Sequence, residues 1–186
     1  MSTPYRCEGF SVAPWTASTE AYGTPVSVQN VQGVSVEPQH DTDEQKILGA
    51  VEETLSVLTS LDITVSFGGI DWASMAVMSG TADSSSGGAT HHNNDDGGDD
   101  MPYFGAWMKF PLKGGGEAHV GFPKCQLQSR IPLDLGEQNQ LLVSEIDVKA
   151  MRLRLADGTT LSIRYYREYA AATALPTNFN TAFGIS

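Results

Sequence analysis

Between positions 61 and 67 the chain alternates without a break. Leu61, Ile63, Val65 and Phe67 fall on one side, and Asp62, Thr64 and Ser66 on the other. Side chains of a strand point alternately to its two faces, so this run predicts a half-buried β-strand. Val26, Val28, Val34 and Val36 also alternate with polar residues. They predict a strand over 26–37 with a bulge at Gly33, closed by Pro38. Over 47–58 the periods compete. Ile47, Leu48, Val51, Leu55 and Leu58 have helical spacing, while Thr54, Val57 and Thr59 favour a strand, and the reading leans towards extended chain.

After Gly68 and Gly69 the period changes. Asp71 is placed to cap a short helix over 72–79, with Gly80 just past its end. Trp72, Ala73, Met75, Ala76, Val77 and Met78 make it apolar almost all round, so it is expected to be covered on more than one side. Residues 103–112 and 117–128 flank a Lys-Gly-Gly-Gly turn and predict a hairpin. Pro111 and Pro123 suit strand ends, edges or bulges in it. A last hairpin is predicted from 144–155 and 159–168. A three-residue loop at 156–158 with Gly158 left-handed pairs Leu153 with Leu161 and Met151 with Ile163. That register gathers Arg152, Arg154 and Arg164 on the opposite face.

The remaining segments carry weaker patterns. Residues 1–25 read as an irregular arm, with Phe10, Trp15 and Tyr22 available to dock it. Residues 40–46 read as an exposed acidic loop, 81–100 as a mobile low-complexity loop, 131–140 as an irregular connection and 170–186 as a tail. The expected organisation is thus arm, one domain over 26–169, and tail. Strands dominate, and one short helix flanks them.

The hydrophobic share of 40% supports a sizeable core in 186 residues. No apolar run reaches the roughly 20 residues of a membrane helix, and the first residues do not read as a secretion signal, so a soluble, cytoplasmically made chain is expected. Cys7 and Cys125 lack metal or scaffold spacing and read as free thiols. The charge is lopsided: residues 1–100 carry 15 acids against Arg6 and Lys46, whereas 101–186 carry nine basic residues against seven acids. A net charge of −11 lacks the footprint of a nucleic-acid binder. The asymmetry also suits head-to-tail contact between copies, with Arg152, Arg154 and Arg164 as the basic side.

Candidate chemistry is sparse. His91, His92, Asp95, Asp96, Asp99 and Asp100 are metal-ligand types, but adjacent pairs in a glycine-rich run lack the fixed spacing of a zinc helix or an EF-hand. There is no G-x-S-x-G, no Walker loop and no dinucleotide fingerprint. Cys125 follows Lys124, yet His119 lies six residues back, roughly 20 Å along a strand. No catalytic residue, metal or cofactor is expected.

The run LDITVSFGGIDWASMAVMSG at 61–80 resembles the strand–Gly-Gly–short helix–Gly segment of siphophage major tail proteins, the tail-tube family. The pair PYFGAWMK at 102–109 and EAHVGFPKCQL at 117–127 is similar to a hairpin of that family, and the order of elements agrees over about 26–169. The insertion at 84–100 and the aromatic N-terminal arm depart from its pattern. The resemblance implies a tail-tube β-sandwich or barrel-like fold and a structural role in the virion tail, assembled in the host cytoplasm. It implies homohexameric rings stacked into a tube that conducts DNA without binding it. Tape measure, tail terminator and tail-tip proteins would be its partners, with no membrane involved.

On that reading Glu52, Glu53 and Asp62 are candidates to line an acidic lumen. Asp41, Asp43, Glu44, Trp72, Met75, Met78, Arg152, Arg154 and Arg164 are candidates for contacts between subunits. Two other classes compete. One is a secreted or virion-surface β-sandwich that binds carbohydrate through Trp15, Tyr103 and Trp107. The other is a small calcium-dependent enzyme using the aspartate-rich loop.

Overall fold

The computed structural model describes residues 7–47, 50–68, 72–80, 83–86, 89–92, 101–129, 134–135, 141–142 and 145–185. For 42–47, 50–55, 72, 83–86, 89–92, 134–135 and 141–142 it describes the backbone alone. The chain is mainly β. In order it forms β1 (Gly9–Thr16), β2 (Ala21–Tyr22), β3 (Val26–Val28), β4 (Val31–Ile47), β5 (Ala50–Phe67), α1 (Trp72–Ser79), β6 (Asp83–Ser86), β7 (Ala89–His92), β8 (Phe104–Pro111) and β9 (Glu117–Leu127). There follow β10 (Asp134–Leu135), β11 (Leu141–Leu142), β12 (Glu145–Met151), β13 (Leu153–Arg154), β14 (Thr160–Leu161), β15 (Tyr165–Tyr169) and α2 (Phe179–Phe183).

Nine strands build one antiparallel sheet with the path β2-β1-β8-β9-β12-β5-β4. β3 joins β1, and β15 joins β9. β9 is shared along its length: Glu117 to Gly121 pair with β15, and Lys124 to Leu127 pair with β12. The sheet accordingly has two characters. In β1, β8 and the first half of β9, successive residues are buried on both faces. In β12 and the inner part of β5, burial alternates strictly, as the 61–67 pattern requires.

Two cores explain this division. The larger core gathers Phe10, Val12, Ile63, Val65, Phe104, Met108, Phe122 and Val148 with Met75 and Met78 of α1. The smaller core lies on the other side of β1 and β8, where Tyr22, Trp107, Leu153, Leu161, Phe179 and Phe183 meet. Trp107 stacks on Phe183, with ring centroids 5.0 Å apart and planes at 24°. A Cβ on Gly121 would lie 2.6 Å from the Trp107 ring, so only glycine leaves room for the indole at that position.

Several local expectations hold. β8 and β9 form the expected hairpin, and its register shifts between Phe104 and Ala106. Phe104 faces Cys125 and Ala106 faces Phe122, which sets Pro123 in a bulge where it interrupts no ladder bond. Gly33 also lies at a register shift. Helix α1 covers 72–79 and ends at Gly80, whose φ of +76° is costly for residues with a Cβ. Its cap position, Asp71, lies outside the described residues. Leu153 faces Leu161, and Gly158 is left-handed at φ +89°.

Other expectations are corrected. The N-terminal segment is not an irregular arm: β1 crosses the sheet between β8 and β3, and Phe10 is core. The 26–37 segment is two strands in different places, β3 beside β1 and β4 beside β5, with Asn30 at φ +59° turning the chain between them. Residues 40–46 are strand, not loop, because β4 runs on through Pro38 to Ile47. Pro38 is tolerated because β4 is the last strand in the sheet order. Part of the 81–100 loop forms the hairpin β6–β7, and β10–β11 adds a short pair within the 131–140 connection and just past it. The last hairpin divides. β13 and β14 pair for two residues, Met151 faces Lys124 rather than Ile163, and β15 leaves to pair with β9. The C-terminal tail carries a second helix, α2, which buries Phe179, Ala182 and Phe183.

Candidate functional site

Where the sheet is one-faced, its outer surface is a continuous polar field. The register sets Glu37 beside Asp62, Asp62 beside Lys149, and Lys149 beside Gln126, which makes one row across four strands. The next row runs from Ser35 through Thr64 to Asp147. Antiparallel partners share a face, so these rows stand opposite the apolar row of Val36, Ile63, Val148 and Leu127.

The field is tied together. Thr64 donates its hydroxyl to Asp147 Oδ1 at 2.9 Å, and Gln128 Nε2 donates to Asp62 Oδ1 at 3.0 Å. Gln126 Nε2 reaches the Met101 carbonyl at 2.6 Å, where the approach to β8 closes one side. Glu37, Glu145, Asp147 and Lys149 are exposed, while Lys124 stands over the Tyr103 ring with Nζ 4.0 Å from its centre. Four carboxylates against two ammonium groups leave this face acidic. It is also open: among the described residues, no element packs on it.

The edge of the sheet is open as well. Beyond Leu61, β5 has no partner but β4 among the described residues, and the two run on as a two-stranded ribbon to the pair Ile47 and Ala50. The outer side of β4 is unpaired among the described residues. Isolated two-stranded ribbons are marginal in water, and unpaired strand edges recruit further strands.

The expected site residues fall in different places. Asp62 lies in the middle of the polar field. Asp41 is exposed on the ribbon. Asp43, Glu44, Glu52 and Glu53 lie on the ribbon's backbone, and their side chains are outside the described residues, as is that of Trp72 at the start of α1. Met75 and Met78 are corrected. They are 2% and 0% exposed within this chain's own core, so neither has surface to offer a neighbour. Among the described residues of helix α1, Ser74, Met75 and Met78 are buried and Ala73 is exposed. Arg152, Arg154 and Arg164 are exposed, and Arg152 and Arg164 border one groove.

Trp107 is fully buried, which removes it from any sugar-stacking platform, and Trp15 leans on Tyr22 with ring centroids 4.8 Å apart. His91 and His92 lie on β7, and the aspartates at 95–100 lie outside the described residues. Among the described residues no three His, Cys, Asp or Glu side chains group as metal ligands.

One polar cluster is buried instead of open. Glu117 Oε1 receives Lys109 Nζ at 3.1 Å, and Oε2 receives the backbone N–H of Thr173 at 2.9 Å and has His119 Nε2 3.5 Å away. The Thr173 N–H holds the Glu117 carboxyl below its usual range, with help from Lys109 and His119. The cluster fastens the C-terminal segment to β8 and β9. His119 is 1% exposed against the Tyr169 ring, and apart from the 3.5 Å approach of Nε2 to Glu117 its ring nitrogens have no partner among the described residues. Cys7 and Cys125 are buried free thiols, and burial raises both above their ordinary pKa.

The sequence missed Glu37, Glu145, Asp147, Lys149 and Gln126 as one surface. Each is visible as the polar half of an alternating run, but which runs lie side by side is fixed by pairings such as Ile63 with Val148, 85 positions apart. No protein-family model matches the chain, and no curated protein matches it significantly.

Proposed function

We propose that this chain is a self-assembling structural subunit whose sheets join side by side around a water-filled bore. More particularly, it is the tail-tube protein of a long-tailed phage, forming stacked rings, most simply of six copies, through which DNA passes. The observation that carries this reading is the open acidic face of β9, β12, β5 and β4, next to an open sheet edge. A sheet with one dry face and one wet, unoccupied face can line a hydrated channel when copies close into a barrel. Pairing with neighbours also removes the exposed edge of β4.

The charge of the face fits the task. Duplex DNA carries about one negative charge per 1.7 Å, so a basic wall would retain it and an acidic wall lets it slide. Asp62, Asp147 and Glu145 would face the bore. The protein is not an enzyme on this reading and uses no cofactor. Its partners are its own copies together with tape measure, terminator and tail-tip proteins.

The test is negative-stain electron microscopy of the purified chain across a concentration series. Hollow tubes or stacked rings of uniform width are expected. A chain that stays monomeric at every concentration, and also with tail-tip extract added, would overturn the reading.

A further inference from the structure

The groove bordered by Arg152 and Arg164 has a volume of about 500 Å³. Its floor is Leu161 and Ile163, which are buried, and Leu58 of β5 forms one wall. Arg154 stands nearby, in register with Thr160, which also lines the groove. Among the described residues no carboxylate pairs with any of these three arginines, although the chain as a whole carries −11.

The ribbon supplies the opposite charge. Residues 39–60 contain Asp41, Asp43, Glu44, Glu52 and Glu53 against Lys46 alone. Its ladder continues from Gln39 and Ser60 out to Ile47 and Ala50. Beyond Leu58 this is about 25 Å of strand. Leu58 is both the base of the ribbon and a wall of the groove, so the ribbon leads away from the groove on its own molecule. The ribbon is acidic, and the groove at its base is basic.

We propose that the Arg152–Arg164 groove receives the acidic β4–β5 ribbon of a second copy of this chain. The contact is head-to-tail: each copy gives its ribbon to the next and takes one from the last. Such heterologous contacts propagate into closed rings or open filaments. Opposite charges set the order and direction of assembly, and the partly exposed Leu58 adds apolar burial once the ribbon is seated. The inference rests on the reading that copies of this chain assemble, and names the surfaces that join them.

Three full-length proteins test it: the natural chain, a groove variant (Arg152→Glu with Arg164→Glu) and a ribbon variant (Asp43→Lys, Glu44→Lys, Glu52→Lys and Glu53→Lys), whose ribbon becomes net basic. Self-association is followed by sedimentation velocity over a salt series, with electron microscopy of the same samples and circular dichroism to verify folding. The natural chain is expected to associate less as salt rises. Each variant alone is expected to associate about tenfold more weakly or worse, and an equimolar mixture of the two to recover, because each presents the charge the other lacks.

A groove variant that associates like the natural chain, or a mixture that recovers nothing, overturns the proposal. If the natural chain still forms tubes in that case, the tail-tube reading stands without this contact. If the mixture recovers association but no sample gives rings or tubes, the contact stands and the tail-tube reading falls. A duplex oligonucleotide is added in a parallel series. Should groove reversal abolish binding of the duplex and leave self-association untouched, the occupant is a nucleic acid and the proposal is wrong.

Discussion

Tyr22 and Asn180, 158 positions apart, exchange two hydrogen bonds: the Tyr22 N–H donates to Asn180 Oδ1 at 2.8 Å, and Asn180 Nδ2 donates to the Tyr22 carbonyl at 3.3 Å. The Tyr22 hydroxyl in turn donates to the Pro123 carbonyl at the bulge of β9. The two ends of the chain are thereby fastened to each other and to the middle of the sheet, over the side of Trp107. Asn180→Ala removes both bonds from the pair and leaves two partly buried backbone groups without their partner. The expected cost is about 1–3 kcal/mol, read as a lower urea midpoint with an unchanged slope. An Asn180→Ala protein with the natural midpoint would show that the ends are held by burial of Phe179 and Phe183 alone.

Gly121 tests the same core from below. Its missing Cβ is the space that the Trp107 ring occupies. Trp107 cannot retreat, because Phe183 stacks on it and Arg167 lies over its ring with Cζ 5.3 Å from the centre. Gly121→Ala is expected to destabilise by about 1–3 kcal/mol through overpacking. Tryptophan fluorescence should shift to the red as the indole is displaced towards water. An unchanged spectrum and midpoint would mean that the strand yields without cost.

The core and the surface were not equally legible in the sequence. Strand existence was readable wherever one face is wet, as at Leu61 to Phe67, because there the period of two survives. It failed for β1, where both faces of the sheet are covered and Phe10, Ser11, Val12 and Ala13 are all buried, so no alternation remains. Residues 40–46 misled for the opposite reason. The β4 half of the ribbon carries no apolar residue between His40 and Lys46, so no alternation shows and its acids resemble a loop. Met75 and Met78 suit a neighbour's surface because an apolar helix demands cover, but composition cannot tell cover by the chain's own β1 and β3 from cover by another copy. That Asp62 lies on a polar face is legible, because the alternation of its strand is clear. Its companions on β12 and β4 required the long-range register.

Glu117 makes a prediction about acid. Its carboxyl is held below the ordinary value of 4.5 by the Thr173 N–H and by Lys109 and His119, so the folded chain binds this proton more weakly than the unfolded chain. The unfolded state therefore takes up the proton first as pH falls. The stability contributed by the ionised group is complete above about 4.5 and is lost as pH drops through the lower folded value. Urea titrations from pH 7 down to pH 2 should show the natural chain losing stability more steeply than Glu117→Gln below about 4.5. Parallel curves would mean that the Lys109 and Thr173 contacts do not depend on the charge.

Cys7 and Cys125 are both buried, and burial raises their thiol pKa, so neither supplies thiolate at neutral pH. In the native protein both should react slowly with an aromatic disulfide reagent, and both should react at once in denaturant. Cys7, at 5% exposure and close to the start of β1, should be the faster of the two. Prompt labelling of Cys125 would instead reveal that β9 and β12 separate readily.

The acidic face offers the sharpest test of the proposed bore. If its carboxylates keep DNA from adhering, then reversing them leaves assembly intact and changes retention. Asp62, Glu145 and Asp147 are suitable because none forms an ion pair among the described residues. Asp62 and Asp147 each accept one neutral hydrogen bond, from Gln128 and Thr64. A triple change to lysine moves six charge units per copy on a surface that faces solvent. The variant should still give tubes of natural width. At low ionic strength those tubes should hold short duplex DNA that natural tubes exclude, and release it as salt rises. Co-sedimentation of tubes with labelled duplex measures this directly. Tubes that assemble yet bind no more DNA than natural ones would show that this face does not line the bore. Loss of assembly with the monomer still folded would mean that it contacts a neighbour instead.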